Sequence, residues 1–485
     1  MHPKKLAFLS LSVLFLLSSN VFGQVTLPKI LGHNMVLQQG KKVPVWGTAT
    51  PGEKITLAFA GQNKTTVADG SGKWSVKLNA MKASFTPREM TIKGSNTIVL
   101  KNILVGEVWL CSGQSNMEYA MRKYGKFQTA AKGNKPPEDD LNTANNPNIR
   151  IFLDRRKYME PSPEHLGWDS AMGRPLVDFS AVGYYFAKDL YAKLHVPIGM
   201  ISAAVPGSRI EPWIQASKME VVPTMKNGKA LDKLSLDDGG SGKFYDTMIQ
   251  PLIPFALKGM LWYQGESNCF LDENIRYAYK FKTLIESWRA DWNDKKMPFY
   301  FVQIAPYNYA ASKDRPLDNE TLPEFWEAQK LALHLKNTNT IAITDLVDSI
   351  ADLHPGYKWE VGRRLSLVAA NKAYGQKNVV CSGPTYQKMK VVNNTIEVRF
   401  SNVGSGLASR DKKPLTWFSI AGTDGKFVPA KAEIVGNKVI VTAPEVPNPI
   451  SVRFGWNEAA QSNFTNKEGL PATPFRSDNP WEKVF

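Results

Sequence analysis

The stretch GEVWLCSGQSNME, residues 106–118, decides the fold of this chain. Its first half is apolar enough for a buried strand, and a turn at Gly113 then leads into residues that suit a helix. The pattern places Ser115 at a helix N-terminus above the carboxyl end of a strand, where open α/β sheets bind their ligands. Backbone N–H groups at a helix start can stabilise a developing oxyanion. Serine is also a common helix cap, so the motif alone leaves a purely structural role open.

The motif differs from the G-x-S-x-G turn of α/β-hydrolases, because Met117 stands where the second glycine belongs. The sequence therefore favours a serine hydrolase of a different fold.

Outward from this stretch, apolar segments alternate with helical patterns from about residue 105, which predicts a mainly parallel sheet covered by helices. A helix is expected after a Ser180 cap, with apolar residues from Val182 to Leu194 at helical spacing. The strands predicted for this central part are 105–111, 149–153, 198–203, 259–263, 299–304 and 340–344.

The flanking parts carry short alternating strands separated by turn residues, which is typical of antiparallel β structure. Residues 24–104 are predicted to form a small sandwich-like module, and residues 379–485 a second β-rich module. The strands predicted for these two parts are 43–47, 54–60, 73–78, 97–100, 395–400, 415–420, 439–442 and 450–454.

Residues 1–23 have the pattern of a signal peptide, with Lys4 and Lys5 before the apolar run 6–17. The mature chain is expected to begin at Gln24. No later stretch reaches about 18 uninterrupted apolar residues. We therefore expect an exported protein, periplasmic or extracellular, with no integral membrane segment after the signal is removed.

The formal net charge is +16, and removing the two signal lysines leaves +14. This charge is spread along the 485 residues without a basic stripe or arm, which argues against nucleic acid as a partner. The three cysteines include no close pair that could clamp zinc. Two of them could still pair in an oxidising compartment, but a role as small buried residues is favoured for Cys111 and Cys269, which lie beside the motifs described below. We predict no metal and no cofactor, and the sequence does not indicate an oligomeric state.

A serine nucleophile needs a base, and the histidines after the signal are few. His33 lies in the first β module, His165 in an irregular polar stretch, and His195 and His334 near helix ends. His354 differs from them because an acid, Asp352, lies two residues before it. Such a pair on a rigid loop can orient an imidazole toward Ser115, although D-x-H also occurs as turn chemistry.

Four separated strings, GEVWLCSGQSNMEY, PGSRIEPW, GMLWYQGESN and DLHPGYKWEVGRRL, resemble in this order the sialate O-acetylesterase family of the SGNH (GDSL-like) hydrolase superfamily. The resemblance extends to the opening β module and to the closing LPATPFRSDNPW. It implies an SGNH three-layer α/β/α catalytic domain over residues 105–378, between modules 24–104 and 379–485.

The resemblance also implies roles for individual residues. Ser115 is the expected nucleophile, His354 the general base and acid, and Asp352 the orienting carboxylate. The wider superfamily places this acid three residues before the histidine, so Asp348 stays an alternative. Gly207 matches the glycine whose backbone N–H contributes to the oxyanion hole. The backbone N–H of Ser115 is the other expected backbone donor. The third donor is expected from Gln264 or Asn268, and Gln264 is favoured because it lies closer to the strand end.

Substrate contacts are predicted from the residues after the oxyanion glycine. Trp213 could stack on a sugar ring, and Arg209 could bind a carboxylate with both guanidinium arms. Arg209, Glu211 and Trp213 could equally form a structural ion pair beside a packed indole. Glu266 is counted with the substrate-binding residues. One departure from the family pattern is Asp246, which stands where an asparagine is expected.

The predicted function is hydrolysis of O-acetyl esters on sialic acid or related sugars by a serine esterase. Acetylesterase action on xylan or pectin is the alternative, since cleft loops and not the fold decide specificity. A non-catalytic glycan-binding protein is a third, and the complete Ser, His and Asp set speaks against it. Because of the net charge and Arg209, an anionic sugar is the expected substrate.

Overall fold

The computed structural model describes residues 24–128, 137–138, 140–154, 167–219, 240–313 and 315–481. The predicted signal peptide and His165 lie outside these residues.

Strands occur in all three predicted parts of the chain. They are β1 (Val36–Gln38), β2 (Val43–Thr48), β3 (Lys54–Phe59), β4 (Gln62–Val67), β5 (Lys73–Leu78), β6 (Ser84–Lys93), β7 (Thr97–Gly113), β8 (Ile149–Asp154), β9 (Trp168–Ser170), β10 (Ile198–Ala204), β11 (Gly259–Tyr263), β12 (Phe299–Val302), β13 (Thr338–Ile341), β14 (Thr385–Val392), β15 (Thr395–Ser401), β16 (Leu407–Ser409), β17 (Phe418–Ala421), β18 (Val428–Pro429), β19 (Lys431–Val435), β20 (Lys438–Thr442), β21 (Ser451–Phe454), β22 (Phe464–Asn466) and β23 (Phe475–Arg476).

The α-helices lie between the strands of the central part. They are α1 (Ser115–Glu118), α2 (Gly125–Gln128), α3 (Asp140–Thr143), α4 (Gly173–Val177), α5 (Ala181–Leu194), α6 (Ala216–Met219), α7 (Glu266–Cys269), α8 (Ile275–Asp291), α9 (Thr321–Leu331) and α10 (Lys358–Val368). Short 3-10 or π-helical turns span Met121–Lys123, Glu211–Trp213, Tyr245–Ile249, Gln250–Leu252, Tyr309–Ala311, Ala332–His334 and Ala369–Ala373.

The central sheet has the strand order β13-β12-β11-β7-β10-β8-β9. All neighbours in this order are parallel except β9, which pairs antiparallel with β8. Helices cover the sheet, so its strands are buried and read as continuous apolar runs. The predicted mixed α/β fold with a mainly parallel central sheet is confirmed.

Helix α5 shows why the local sequence prediction held. The Ser180 hydroxyl accepts a hydrogen bond from the Gly183 N–H at 3.1 Å and caps the helix start. The helix ends at His195, whose φ of +50° lies in the left-handed region. His195 therefore lies directly after the helix, in agreement with its predicted position near a helix end.

The first β part and the central sheet share strand β7. Its residues 97–100 pair antiparallel with β6, and its residues 107–113 pair parallel with β10. Strand β1 pairs parallel with Leu104, Val105 and Gly106, on both sides of the predicted boundary between residues 104 and 105. One uninterrupted strand therefore crosses the place where a module boundary was expected.

The last part of the chain forms antiparallel sheets around a second apolar core. Ion pairs join it to the central part. Arg476 lies 2.6 Å from Glu327, Arg453 lies 3.1 Å from Glu320, and Arg410 lies 3.1 Å from Asp345.

The described residues also show the state of the cysteines and the length of the apolar helices. Cys111, Cys269 and Cys381 are buried and free, and the burial of Cys111 and Cys269 agrees with the role favoured for them from the sequence. Within the described ranges, no helix has both the length and the apolar character needed to cross a membrane.

Candidate active site

The ends of three neighbouring strands create the site. Gly113, the last residue of β7, lies opposite Ala204 of β10 and Tyr263 of β11. The φ of Gly113 is +140°, and a Cβ atom there would lie 2.1 Å from the Tyr263 carbonyl oxygen. Only glycine fits this close approach, which brings the turns after β7, β10 and β11 together.

Ser115 begins α1 directly after this turn and is partly exposed. Its Oγ lies 2.8 Å from Nε2 of His354. His354 belongs to the loop between β13 and α10, which reaches across the sheet end. The structure thus brings together the predicted nucleophile and base at hydrogen-bonding distance, although 239 residues separate them.

The surroundings of His354 favour the neutral imidazole. Burial lowers its pKa to about 4, and the positive charges of Lys358 and Lys123 act in the same direction. Asp352 opposes them. At neutral pH the ring is therefore able to accept a proton from Ser115.

Asp352 contacts the backbone of the histidine loop. Its Oδ1 accepts a hydrogen bond from the His354 N–H at 3.0 Å, and its Oδ2 lies 2.5 Å from Nζ of Lys126. Lys126 also donates to the His354 carbonyl at 2.7 Å. Burial raises the pKa of Asp352, but these hydrogen bonds outweigh it and hold the pKa below its ordinary value.

The alternative acid, Asp348, accepts a hydrogen bond from the Tyr357 hydroxyl at 2.6 Å. Asp348 thus contacts Tyr357, and Asp352 contacts the backbone N–H of His354. Which of the two carboxylates orients the imidazole stays a prediction.

Gly207 follows β10 and lies beside the Ser115 turn. Its φ is +69°, and a Cβ atom there would meet nothing within 4 Å. The Ser267 hydroxyl donates to the Gly207 carbonyl at 3.1 Å and holds this turn. Within the described residues, no atom accepts a hydrogen bond from the Gly207 N–H. The geometry is compatible with the predicted oxyanion donor.

Gln264 and Asn268 lie in a different arrangement from the one expected of a third oxyanion donor. The Gln264 amide donates to the Ser208 carbonyl at 3.2 Å and to Oδ1 of Asn268 at 2.7 Å. The Asn268 amide donates to Glu211 and Glu273. Both side chains are fully buried, and their N–H groups already have protein acceptors. A role of either amide as the third oxyanion donor stays a prediction.

Two of the predicted cleft residues are in the interior, so their substrate contacts were predicted wrongly. Trp213 is 0% exposed, and its Nε1 donates to the Ser208 hydroxyl at 3.0 Å. Glu211 is buried and lies 2.6 Å from Nζ of Lys280. Burial raises the pKa of Glu211, but the charge of Lys280 outweighs it and lowers the pKa. A buried indole cannot stack on a sugar.

Arg209 is 7% exposed, and its Nε lies 3.9 Å from Glu211. This is the structural ion pair that the sequence analysis left open. The tyrosine beside the unexpected Asp246 is also internal, since the Tyr245 hydroxyl donates to Asp291 at 2.8 Å.

Glu266 is likewise buried, at 1% exposure, so its predicted contact with substrate is wrong. Its Oε1 accepts a hydrogen bond from the Asn116 amide at 2.5 Å. Oδ1 of Asn116 in turn accepts from Nζ of Lys358 at 2.6 Å. Sequence reasoning missed Asn116 and Lys358. A lysine in the first turn of a helix opposes the helix dipole, and that signal could have identified Lys358.

Among the described residues, no group of three or more His, Cys, Asp or Glu could hold a metal ion.

Comparison with known proteins identifies the family of this chain. The sequence model of the family described as "Carbohydrate esterase, sialic acid-specific acetylesterase" matches residues 105–367. The sialate O-acetylesterase of Homo sapiens is 28% identical over 490 residues, which cover 92% of this chain and 91% of the human protein. That of Mus musculus is 26% identical over 517 residues, which cover 92% of this chain and 93% of the mouse protein.

Among solved structures, a carbohydrate acetylesterase from Xanthomonas citri is similar to this chain at 34% sequence identity. The TM-score is 0.80, and the match covers 94% of this chain and 100% of that chain. The resemblance seen in the sequence is confirmed: the chain belongs to the sialic acid-specific acetylesterase family of carbohydrate esterases and is a carboxylic ester hydrolase.

Proposed function

We propose that this protein is a sialate O-acetylesterase that releases acetate from O-acetylated sialic acid through an acyl-enzyme on Ser115. The observation that carries the mechanism is the 2.8 Å contact between Ser115 Oγ and His354 Nε2 at the meeting point of three strand ends. The substrate class rests on the family and on the relatives named sialate O-acetylesterase.

The chemistry proceeds in two halves. Ser115 Oγ attacks the acetyl carbonyl carbon while His354 Nε2 takes the hydroxyl proton. The N–H groups of Ser115 and Gly207 stabilise the oxyanion of the tetrahedral intermediate. The ester C–O bond then breaks, and His354 returns the proton to the departing sugar oxygen. Water repeats the attack on the acetyl-serine, and acetate leaves.

Asp352 is proposed to assist by holding His354 in place. The carboxylate accepts the backbone N–H of His354 and pairs with Lys126, which also donates to the His354 carbonyl. These contacts restrain the loop on both sides of the imidazole, and the negative charge favours the imidazolium that forms during the reaction.

Positive charge near Ser115 supports an anionic substrate. Lys123 is exposed, and Lys126 is partly exposed beside Asp352. Both are close enough to His354 to lower its pKa. Through its charge, this edge of the site attracts a sugar that carries a carboxylate.

The test is to measure acetate released from O-acetylated sialic acid, acetylated xylan and acetylated pectin, with Ser115→Ala as the control. We expect the highest kcat/KM on the sialate and essentially none in the variant. Raising salt should reduce kcat/KM for the sialate more than for the neutral xylan, because screening shortens the Debye length from about 10 Å at 0.1 M to about 3 Å at 1 M. Higher kcat/KM on xylan or pectin would assign the protein to the polysaccharide alternative.

We propose export as well, supported by the basic and apolar pattern of residues 1–23. The mature protein should begin at Gln24, which amino-terminal sequencing of the secreted material measures. A mature protein that retains residues 1–23 would contradict this proposal.

A further inference from the structure

A buried hydrogen-bonded chain lies directly beneath the nucleophile. It starts at Asn116, the residue after Ser115. Nζ of Lys358 donates to Oδ1 of Asn116 at 2.6 Å. The Asn116 amide nitrogen donates to Oε1 of Glu266 at 2.5 Å and to the carbonyl of Leu353 at 3.0 Å. The three side chains that form this hydrogen-bonded network are each at most 1% exposed: Asn116, Lys358 and Glu266.

These contacts connect the two halves of the catalytic pair. Asn116 belongs to the helix that begins with Ser115, whereas Leu353 immediately precedes His354. The Asn116 amide nitrogen is therefore a direct bridge between the nucleophile helix α1 and the histidine loop. A change in the rotation of this amide would break the bridge.

Lys358 determines which way the Asn116 amide faces. An ammonium group only donates hydrogen bonds, so it requires the oxygen of the amide and leaves the nitrogen for Leu353 and Glu266. The Lys358 ammonium also lies over the rings of Tyr119 and Tyr263, at 4.9 and 5.5 Å from their centroids. The Tyr119 ring in turn packs on the imidazole of His354, with centroids 6.4 Å apart.

This arrangement costs free energy that a structural role alone does not explain. Burial lowers the pKa of Lys358 to about 7 and raises the pKa of Glu266. Oε2 of Glu266 is buried and has no hydrogen-bond partner among the described residues. An apolar side chain of similar length in place of Lys358 would avoid the cost of burying a cation.

We propose that Lys358 and Asn116 are positioning residues that set the distance between Ser115 Oγ and His354 Nε2, with Glu266 as the buried acceptor that completes the chain. This inference rests on the proposed function, since it assigns the pair to catalysis. The residues act through Ser115 and His354 and do not touch the substrate.

The test compares Lys358→Met with wild-type enzyme on a neutral aryl acetate, over a range of pH and with thermal unfolding measured in parallel. Loss of the bridge should lower the plateau kcat by roughly 10- to 100-fold while KM changes little, because small misplacements of reacting groups have effects of this size. The acid limb of the profile should also move to higher pH, because a cation beside His354 is removed.

Lys330→Met is the matched control. Nζ of Lys330 donates to the Pro474 carbonyl at 3.1 Å, and burial lowers its pKa as well. It lies on α9, away from Ser115 and His354. The control should lose stability but keep the plateau kcat and the pH profile of the wild-type enzyme.

A folded Lys358→Met enzyme with a plateau kcat within about twofold of wild type would overturn the proposal. If that variant does not fold, Asn116→Asp tests the proposal instead. It removes the amide donor to the Leu353 carbonyl and should lower kcat in the same way. An unchanged kcat in Asn116→Asp would again overturn it. Wild-type enzyme that fails to cleave the aryl acetate would instead refute the proposed function.

Discussion

His354 has the environment of a base that must stay uncharged until the reaction begins. Burial and the nearby lysines disfavour its protonation, whereas Asp352 favours it. An imidazole with an unperturbed pKa near 6.5 would be half protonated at that pH, and the protonated fraction could not accept the proton of Ser115. The pKa of about 4 removes this restriction.

Activity should therefore extend to unusually low pH. We expect kcat/KM on a neutral ester to stay level from about pH 6, where Lys358 is still charged, down to about pH 5 and to fall with a midpoint near pH 4, because kcat/KM reports the pKa of the free enzyme. A titration of kcat/KM between pH 3.5 and 8 measures this. A midpoint near 6.5 would show that the imidazole is not shielded in this way.

The lowered pKa of His354 also makes the free energy of unfolding depend on pH. The activity titration therefore needs a control for unfolding. The folded pKa of His354 lies below the unfolded value, so the unfolded chain binds more protons between about pH 6.5 and 4. This contribution to stability is complete above about pH 6.5 and is lost as the pH falls toward 4. Circular dichroism recorded at each pH separates titration of His354 from unfolding of the chain.

The pair of Ser115 and His354 could be predicted from the sequence because each carries a local signal, a strand-to-helix turn and a nearby acid. The positions of Trp213, Glu211 and Glu266 could not. All three lie in or beside short turns, where spacing does not determine whether a side chain points to solvent or to the interior. The burial of Glu211 and Glu266 depends on contacts with Lys280 and Asn116, which are distant in sequence, and the Trp213 indole is held by Ser208 through a turn whose shape the spacing does not give.

Among the elements, the turn after β7 determines the height of the nucleophile above the sheet. Gly113→Ala would place a Cβ atom 2.1 Å from the Tyr263 carbonyl oxygen at a φ of +140°. We expect kcat to fall by about 100-fold, because the turn must move away and carry Ser115 with it. The strained backbone should also cost roughly 1–3 kcal/mol of stability. Steady-state kinetics and chemical denaturation measure the two effects.

Gly375→Ala provides the comparison for this element. The φ of Gly375 is +71°, but a Cβ atom there meets nothing within 4 Å. This variant should lose about 1 kcal/mol of stability and keep the wild-type kcat. Equal kcat in Gly113→Ala and the wild-type enzyme would show that the turn tolerates displacement.

Element prediction succeeded where the apolar pattern is continuous or strictly alternating. The bounds of β5 and β11 match the predicted 73–78 and 259–263, since β5 alternates and β11 is wholly buried. Strand β6 was not predicted, because it contains Pro87 and is exposed over most of its first half. The predicted strand 340–344 forms instead at Thr338–Ile341, because a turn closed by Leu346 N–H and the Ile343 carbonyl ends it.

At the scale of the whole molecule, the spacing of apolar residues predicted a central α/β part between two β-rich parts. It did not predict how these three parts join. The closing β-rich part contacts the central part through ion pairs, since buried Arg476 pairs with Glu327 and the exposed Arg410 pairs with the buried Asp345. The two partners of each ion pair lie far apart in the sequence, so the sequence alone does not show which charges pair. Contacts of this kind require the folded arrangement to be known.

The continuous strand β7 has a mechanical consequence. The ladder from β1 to Leu104, Val105 and Gly106 spans the expected module boundary, and Gln38 accepts the Val108 N–H at 2.8 Å just beyond it. Rotation of the first β part about this point would break these hydrogen bonds, each of which would leave a buried group unpaired. Residue 104 is therefore not a hinge. The first β part and the turn that carries Ser115 are joined by one continuous hydrogen-bonded strand, so a displacement of one would be transmitted to the other.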